Sequence, residues 1–307
     1  MASKTKWLVI INPTSGNGSS KKKWPEIQRL LQVHGFDYDH VFTSYPNHSI
    51  LLTQTAVNQG YTRIICVGGD GTIHNIVNGI MSQTASDISK VTLGVIPIGT
   101  GNDWVKTHGI SKDISKAIET IKKGRTSIQD VGKIDLDVQG TGPIYFNNLA
   151  GIGFDAFVVK KVKAYKHLGA IAYFLGAIIG LFNFKIFKAW IRFNSEEREV
   201  NALMILIGLC QYSGGGMQLT ESPDPSDGLF DLSITNNFGR FDVLRNMVNL
   251  FNGKVTSSQK IETVKTKEIE VKVDAPKPYI QADGELIGRG NFKVTIIPKA
   301  LRFYSEN

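Results

Sequence analysis

Hydrophobic positions along this chain follow one rhythm up to about residue 130 and another beyond it. In the first part, short unbroken apolar runs alternate with stretches whose apolar residues recur every three or four positions. Trp7-Leu8-Val9-Ile10-Ile11 reads as a fully buried strand. The turn-rich segment Asn12-Pro13-Thr14-Ser15-Gly16-Asn17-Gly18 follows. Next comes a helix with Pro25 in its first turn, Ile27, Leu30 and Leu31 on its inner face, and Gly35 at its end. A strand ending near Phe42-Thr43, a helix from about His48 to Gly60 and a strand at Ile64-Ile65-Cys66-Val67 continue the alternation. That third strand runs straight into Gly68-Gly69-Asp70-Gly71-Thr72, after which Ile73, Ile76, Val77, Ile80 and Met81 keep helical spacing. Val91 to Pro97 is a further strand and opens into Gly99-Thr100-Gly101-Asn102-Asp103. Asp113 then caps a helix with Ile114, Ala117, Ile118 and Ile121 on one face and Lys122, Lys123 and Gly124 at its end. This alternation predicts a parallel sheet with helices on both faces, and it gathers the Asn12, Asp70 and Asp103 loops at the carboxyl ends of the strands, where such sheets bind ligands.

After about Asp130 the runs Ile134 to Val138, Ala189 to Phe193, Ala202 to Cys210, Phe230 to Thr235, Lys267 to Val273 and Phe292 to Ile297 read as strands, several with polar and apolar residues alternating. They predict an antiparallel sheet domain, with Ser195-Glu196-Glu197-Arg198 as a hairpin tip. The expected division is residues 1–130 and 131–307, the last strand being free to return to the first domain. Leu168 to Phe184 stands apart: it is almost wholly apolar, with Lys160, Lys161, Lys163 and Lys166 before it and Lys185 and Lys188 after. It contains three glycines and falls just short of a spanning helix, so it reads as a buried or interfacial helix.

Composition narrows the classes. A chain of 307 residues, 42% hydrophobic, buries a sizeable core and favours two domains. A net charge of +8 suits an anionic membrane surface, phosphorylated substrates or nucleic acid, and the lack of aromatic interleaving among the basic residues disfavours the last. Cys66 and Cys210 sit in apolar runs without metal-ligand spacing, which argues against a disulfide framework or zinc site. The run Trp7 to Ile11 is stopped by Asn12-Pro13, too soon for a signal peptide, so a cytoplasmic protein is expected.

The order strand, glycine loop, helix at Gly68 to Thr72 brings backbone N–H groups and a helix N-terminus to one point, which suits a phosphate. Asp70 repels such a ligand unless a cation lies between, and magnesium is the natural one. Asp-Gly is also a favoured hairpin turn, but here a helical stripe follows instead of a second strand. The Gly16-Asn17-Gly18-Ser19-Ser20-Lys21 run has neither dinucleotide-fingerprint nor Walker spacing.

Taken together, Asn12-Pro13-Thr14-Ser15-Gly16, Gly68-Gly69-Asp70-Gly71-Thr72 with Asn78-Gly79, Pro97-Ile98-Gly99-Thr100-Gly101-Asn102-Asp103, Gly214-Gly215-Gly216-Met217, Asp224-Pro225-Ser226-Asp227-Gly228-Leu229 and Asp283-Gly284-Glu285 resemble the motifs of diacylglycerol-kinase-like lipid kinases over nearly the whole chain. That family shares its catalytic domain type with sphingosine kinases and more distantly with NAD kinases and phosphofructokinases. The resemblance implies an NAD-kinase-like α/β nucleotide-binding domain joined to a β-sandwich lipid-acceptor domain, with the nucleotide in the cleft between, as in the soluble bacterial members. It implies γ-phosphate transfer from ATP, with Mg²⁺, to a hydroxyl of diacylglycerol or a related lipid. Asn12, Ser15, Gly69 and Thr72 become donors to the ATP phosphates, and Thr43 lies near the adenine. Gly16, Gly68, Gly71, Gly99, Thr100 and Asn102 complete the nucleotide loops. Asp70 and Asp103 hold the catalytic Mg²⁺, partly through water, and Glu285 is the general base. Asp224, Asp227 and the Leu229 carbonyl match a structural cation site. Asn75 departs from the Glu that many members carry.

On the residues alone there are plainer alternatives: Asp103 as a helix N-cap before Trp104-Val105-Lys106, compatible with catalysis, Asp283-Gly284 as a plain turn and the Asp224 segment as a surface loop. A lipid acceptor requires a membrane surface, for which the stretch from Lys160 to Phe184 is the expected peripheral contact; a homodimer is compatible with the resemblance. The rivals are an NAD kinase-like phosphotransferase, which the Gly214, Asp224 and Asp283 motifs fit poorly, and a non-enzymatic nucleotide or lipid sensor, which would be expected to lose one of Asp70, Asp103 and Glu285.

Overall fold

The computed structural model describes residues 6–83, 87–162, 184, 186–239, 242 and 249–306. Residues 168–183 of the apolar segment, with Lys163, Lys166 and Lys185, lie outside the described residues. The chain divides into two compact units, residues 1–129 with 299–307 and residues 130–298.

In the first unit β1 (Trp7–Ile11), β2 (Tyr38–Phe42), β3 (Arg63–Gly68) and β4 (Thr92–Pro97) form a parallel sheet in the order β2-β1-β3-β4. The terminal residues Arg302 and Phe303 extend it alongside Thr92 and Leu93 of β4, also in parallel. Helices α1 (Ser19–Val33), α2 (His48–Asn58), α3 (Asp70–Met81), α4 (Asp103–Thr107) and α5 (Ile114–Lys123) connect the strands. Ile27 and Leu31 of α1 and Ile114, Ile118 and Ile121 of α5 pack on Val9, Ile11, Ile65, Val67 and Ile96. The other sheet face is left to α2 and α3, whose backbones meet so closely that a Cβ on Gly79 would lie 2.7 Å from the Ile50 carbonyl oxygen. The expected caps of α5 are present: Asp113 Oδ1 accepts from the Lys116 N–H at 3.0 Å, and Gly124 leaves the helix at φ 76°.

Pro25 is not in a first turn. The helix begins at Ser19, six residues earlier, so Pro25 lies inside it with its ring exposed. The polar run from Gly18 to Lys23 carries no apolar mark of the helix start, and the inner stripe begins with the buried Trp24.

The second unit is an antiparallel β-sandwich built from β5 (Thr126–Leu136), β6 (Ile144–Phe146), β7 (Leu149–Gly153), β8 (Phe187–Phe193), β9 (Glu196–Gly208), β10 (Phe230–Asn236), β11 (Ile261–Thr266), β12 (Glu268–Val273), β13 (Tyr279–Ala282), β14 (Glu285–Arg289) and β15 (Phe292–Tyr304). Strands β5 and β15 begin or end in the first unit. The 13 residues of β9 pair with β8 in their first half and with β7 and β10 in their second. Helix α6 (Phe154–Val162) follows β7 directly.

The hairpin tip differs from its expected place. Phe193 pairs with Glu196, so the turn is Asn194-Ser195, both with positive φ (47° and 65°), and Glu196 to Arg198 already belong to β9. Two-residue hairpin turns need that left-handed backbone, which Asn tolerates better than Glu.

Candidate active site

Strand order dictates where a ligand meets the first unit. From β1 the chain goes to β2 on one side and then to β3 on the other, so the carboxyl ends of β1 and β3 flank a topological switch point. Asn12 leaves β1 there, its N–H donating to the Val67 carbonyl at 3.0 Å and its Nδ2 to Thr72 Oγ1 at 3.0 Å. Ser15 Oγ lies 3.5 Å from the same Thr72 hydroxyl. The Thr72 side chain fills the space beside Gly68, where a Cβ would lie 2.5 Å from Oγ1.

The next loop is pressed against this one backbone to backbone, since a Cβ on Gly99 would sit 2.9 Å from Gly69 Cα. Asn102 Nδ2 donates to the Gly99 carbonyl at 3.0 Å, which closes the loop after β4. Thr43 stands just beyond β2 on the same sheet edge, its N–H donating to the Ile11 carbonyl at 2.8 Å. Gly16 turns the first loop at φ 58°, Gly71 is the second residue of α3, and Thr100 is exposed. The loops at Asn12, Asp70 and Asp103 therefore share one edge.

Asp70 is not in the loop proper but is the first residue of α3. Its Oδ2 accepts from the Asp103 N–H and its Oδ1 from the Trp104 N–H, both at 3.2 Å. Asn102, in a left-handed conformation with φ 55°, occupies the cap position of α4, and the buried Asp103 is the first helical residue, so the N-cap reading of Asp103 does not hold. A Cβ on Gly101 would lie 3.1 Å from Asp70 Oδ2 and 3.6 Å from Asp103 Oδ2, so both carboxylates border one small space. Burial, and then the Asp103 charge, push the Asp70 carboxyl up to about 6. Two neighbouring hard carboxylates beside glycine loops fit Mg²⁺, which needs one or two carboxylates and keeps several waters.

In the second unit, Ala282 pairs with Glu285, and Asp283 and Gly284 form the two-residue turn with φ 49° and 80°. The plain-turn reading of Asp283-Gly284 thus holds for the backbone, while Glu285 opens β14 as a half-buried side chain. Asp283 also has a role its sequence motif did not announce: Oδ1 accepts from the Asn148 and Leu149 N–H groups at 2.9 and 3.1 Å, and Oδ2 from the Asn147 N–H at 3.1 Å.

The Asp224 segment is an ordered acidic turn. Asp224 Oδ1 accepts from the Ser226 N–H and Oγ at 2.9 and 2.8 Å, and Asp227 Oδ1 from the Leu229 N–H at 2.9 Å. Sequence reasoning missed three residues around it. Buried Asp130 accepts from the Gly228 N–H at 2.7 Å, and Lys265 Nζ reaches Asp227 Oδ2 at 2.7 Å and Asp231 Oδ2 at 3.6 Å. Lys265 is the cross-strand partner of Asp231, a register invisible before β10 and β11 were paired. Asp227 and Asp231 thus share one ammonium, and among the described residues no three Asp, Glu, His or Cys side chains are grouped as a metal site.

Comparison with known proteins agrees with this construction. Residues 6–134 match the family model described as diacylglycerol kinase catalytic domain, and residues 148–305 match the YegS C-terminal NAD kinase beta sandwich-like domain. YtlR of Bacillus subtilis (strain 168) is 29% identical over 309 residues, covering 96% of this chain and 98% of that protein. A diacylglycerol kinase of the same organism is 29% identical over 287 residues, covering 91% of this chain and 89% of that one. The crystal structure of a diacylglycerol kinase from Bacillus anthracis strain Sterne shares the fold with a TM-score of 0.73 at 20% identity, covering 100% of this chain and 98% of that one. With the α/β domain, the β-sandwich and both family models in the same order, the chain belongs to the diacylglycerol-kinase-like lipid kinase family.

Proposed function

We propose that this protein transfers the γ-phosphate of ATP to a hydroxyl of diacylglycerol or a related lipid. The observation that carries the reading is the convergence of Asp70 and Asp103 on one space at the switch point of the parallel sheet, beside loops rich in phosphate donors. Asn12, Ser15 and Thr72 hold the phosphates through side-chain groups, and Gly69 through its backbone. Bound Mg²⁺ would neutralise charge on the transferred group, and Asp70 and Asp103 would hold it. Glu285 takes the proton from the acceptor hydroxyl as its oxygen forms the new bond to phosphorus. In the second unit, Asp224, Asp227 and the Leu229 carbonyl hold a structural cation.

The acceptor is a membrane lipid, so the protein meets its substrate at a bilayer surface. Among the described residues no helix is long and apolar enough to cross a membrane. Lys160 and Lys161 close α6 just before the apolar stretch, and that entry forms the peripheral contact on the cytoplasmic face. Sedimentation with liposomes rises with anionic lipid content on this reading; binding indifferent to that content removes the contact.

The deciding experiment is phosphotransfer from labelled ATP to diacylglycerol, phosphatidylglycerol, ceramide and a sphingoid base, with NAD in parallel. A labelled lipid is expected. Label on NAD alone makes the chain an NAD kinase, and ATP binding without any product makes it a sensor.

A further inference from the structure

Glu285 leaves the β13–β14 turn immediately after Gly284, so whatever fixes the Gly284 backbone fixes the origin of the Glu285 side chain. Asp283 anchors one side of that turn to the Asn147–Leu149 backbone. The other side is held by a buried glutamine. Gln281 is 3% exposed; its Oε1 accepts from the Gly284 N–H at 2.9 Å, and its Nε2 donates to Asp155 Oδ2 at 3.0 Å.

The two ends of this amide are not interchangeable. Flipped, it would set a carbonyl oxygen against the Asp155 carboxylate and an NH₂ group against the Gly284 N–H, losing both bonds and creating two repulsive contacts. Asp155 therefore decides which end of Gln281 faces the turn. The carboxylate reaches Gln281 only because Gly151, the β7 partner of Gln281, has no side chain: a Cβ there would lie 2.1 Å from Asp155 Oδ2. Asp155 comes from the first turn of α6, so a helix, a strand and a turn are joined through one amide. A carboxyl group shut away from solvent costs free energy unless it is given partners.

We propose that Gln281 is a positioning residue, held in one sense by Asp155, that fixes the Gly284 backbone and so aims Glu285. The inference rests on Glu285 being the base, but the hold on Gly284 can be read without turnover. In Gln281→Leu, the Gly284 amide loses its acceptor, and its hydrogen exchange is expected to speed up about 10-fold, as for the loss of one buried hydrogen bond. The same variant is expected to lower kcat roughly 10- to 100-fold while KM for ATP stays within about 2-fold, the pattern of a displaced reacting group. Asp155→Leu should match it, the double variant should add little to either, and Asp155→Asn, which keeps an acceptor oxygen, should restore most of the rate.

Unchanged Gly284 exchange and full kcat in Gln281→Leu overturn the proposal. If Glu285→Gln turns over at the native rate, the base assignment fails, and the exchange data still decide whether Gln281 holds the turn. If Glu285→Gln is inactive while Gln281→Leu is not, the positioning role alone fails. Should Gln281→Leu not give a cooperative melt, Gln281→Met is read in the same two assays.

Discussion

Asp70, which opens α3, and Asp283, in the β13–β14 turn, are both aspartates that follow a strand and precede a glycine, yet the chain gives them different company. Asp283 receives three backbone N–H groups at 2.9 to 3.1 Å. Asp70 receives two at 3.2 Å, has the Asn102 backbone as a further partner, and shares its space with the carboxylate of Asp103, a like charge. The first group is saturated from within, so its charge serves the fold. The second sits beside a like charge that raises its pKa, and on the proposed function a cation would offset that charge. On the proposed function, local stability and chemical readiness are thus separated between two segments that look alike in sequence, Gly69-Asp70-Gly71 and Asp283-Gly284-Glu285.

The largest effect that sharpens this contrast is on activity. Asp70→Asn is expected to abolish magnesium-dependent transfer, and unchanged rates over a magnesium titration would sink the assignment. Glu285→Gln is expected to cost roughly 10²- to 10⁴-fold in kcat with an unchanged melting temperature. Full turnover in that variant would strip Glu285 of its role.

Asp283→Ala works the other way. Removing the shared acceptor of three N–H groups should cost about 2 to 4 kcal/mol in denaturant unfolding. A loss under about 0.5 kcal/mol would mean that the two aspartates do not differ as argued.

A smaller effect is readable in pH. The Asp70 carboxyl is pushed up to about 6 from an ordinary 3.8, so the folded protein holds this proton more tightly than the unfolded chain. Its contribution to stability is complete below about 4 and is lost as pH rises through about 6, on the order of 2 kcal/mol by neutral pH without metal. Asp155 and Asp231 are also raised to about 6 and titrate in the same direction, so the measurement is the difference between native protein and Asp70→Asn melted in chelator from pH 4 to 7.5. The variant should fall less steeply, and parallel curves would refute the charge imbalance at Asp70.

The sequence showed the first of these segments far better than the second, for a physical reason. Phosphate loops in parallel sheets are local: strand, glycines and helix lie within about twenty residues, so Ile64 to Met81 carries the whole signal, and the placement of Asn12, Asp70 and Asp103 on one edge follows from alternation alone. The support of Glu285 is non-local. Asp155 and Gln281 lie 126 residues apart and Asp283 and Asn147 lie 136 apart, and a buried polar residue shows its partner only when distant strands are in register. Strand β7 was missed for a related cause: Leu149-Ala-Gly-Ile-Gly153 reads as a weak strand with two glycines, yet one of those glycines makes room for the Asp155 carboxylate. Pro25 misled because a proline suits a first turn, while this helix carries it with the ring outward.

The Asp224 turn lies between the two extremes and gives the smallest prediction. Its aspartates are partly satisfied by their own loop, as Asp283 is satisfied by its neighbours, but Asp227 and Asp231 also share the single ammonium of Lys265, and burial pushes the Asp231 carboxyl up to about 6. If a divalent cation joins Lys265 there, chelator should lower the melting temperature of the native protein by a few degrees, equivalent to about 1 kcal/mol, and magnesium or calcium should restore it. Asp227→Ala should melt lower from the outset, lose that response and keep its ATP affinity. A native melting temperature indifferent to chelator would leave Lys265 as the counter-charge of this turn and place it with Asp283, among the acidic groups the chain balances for itself.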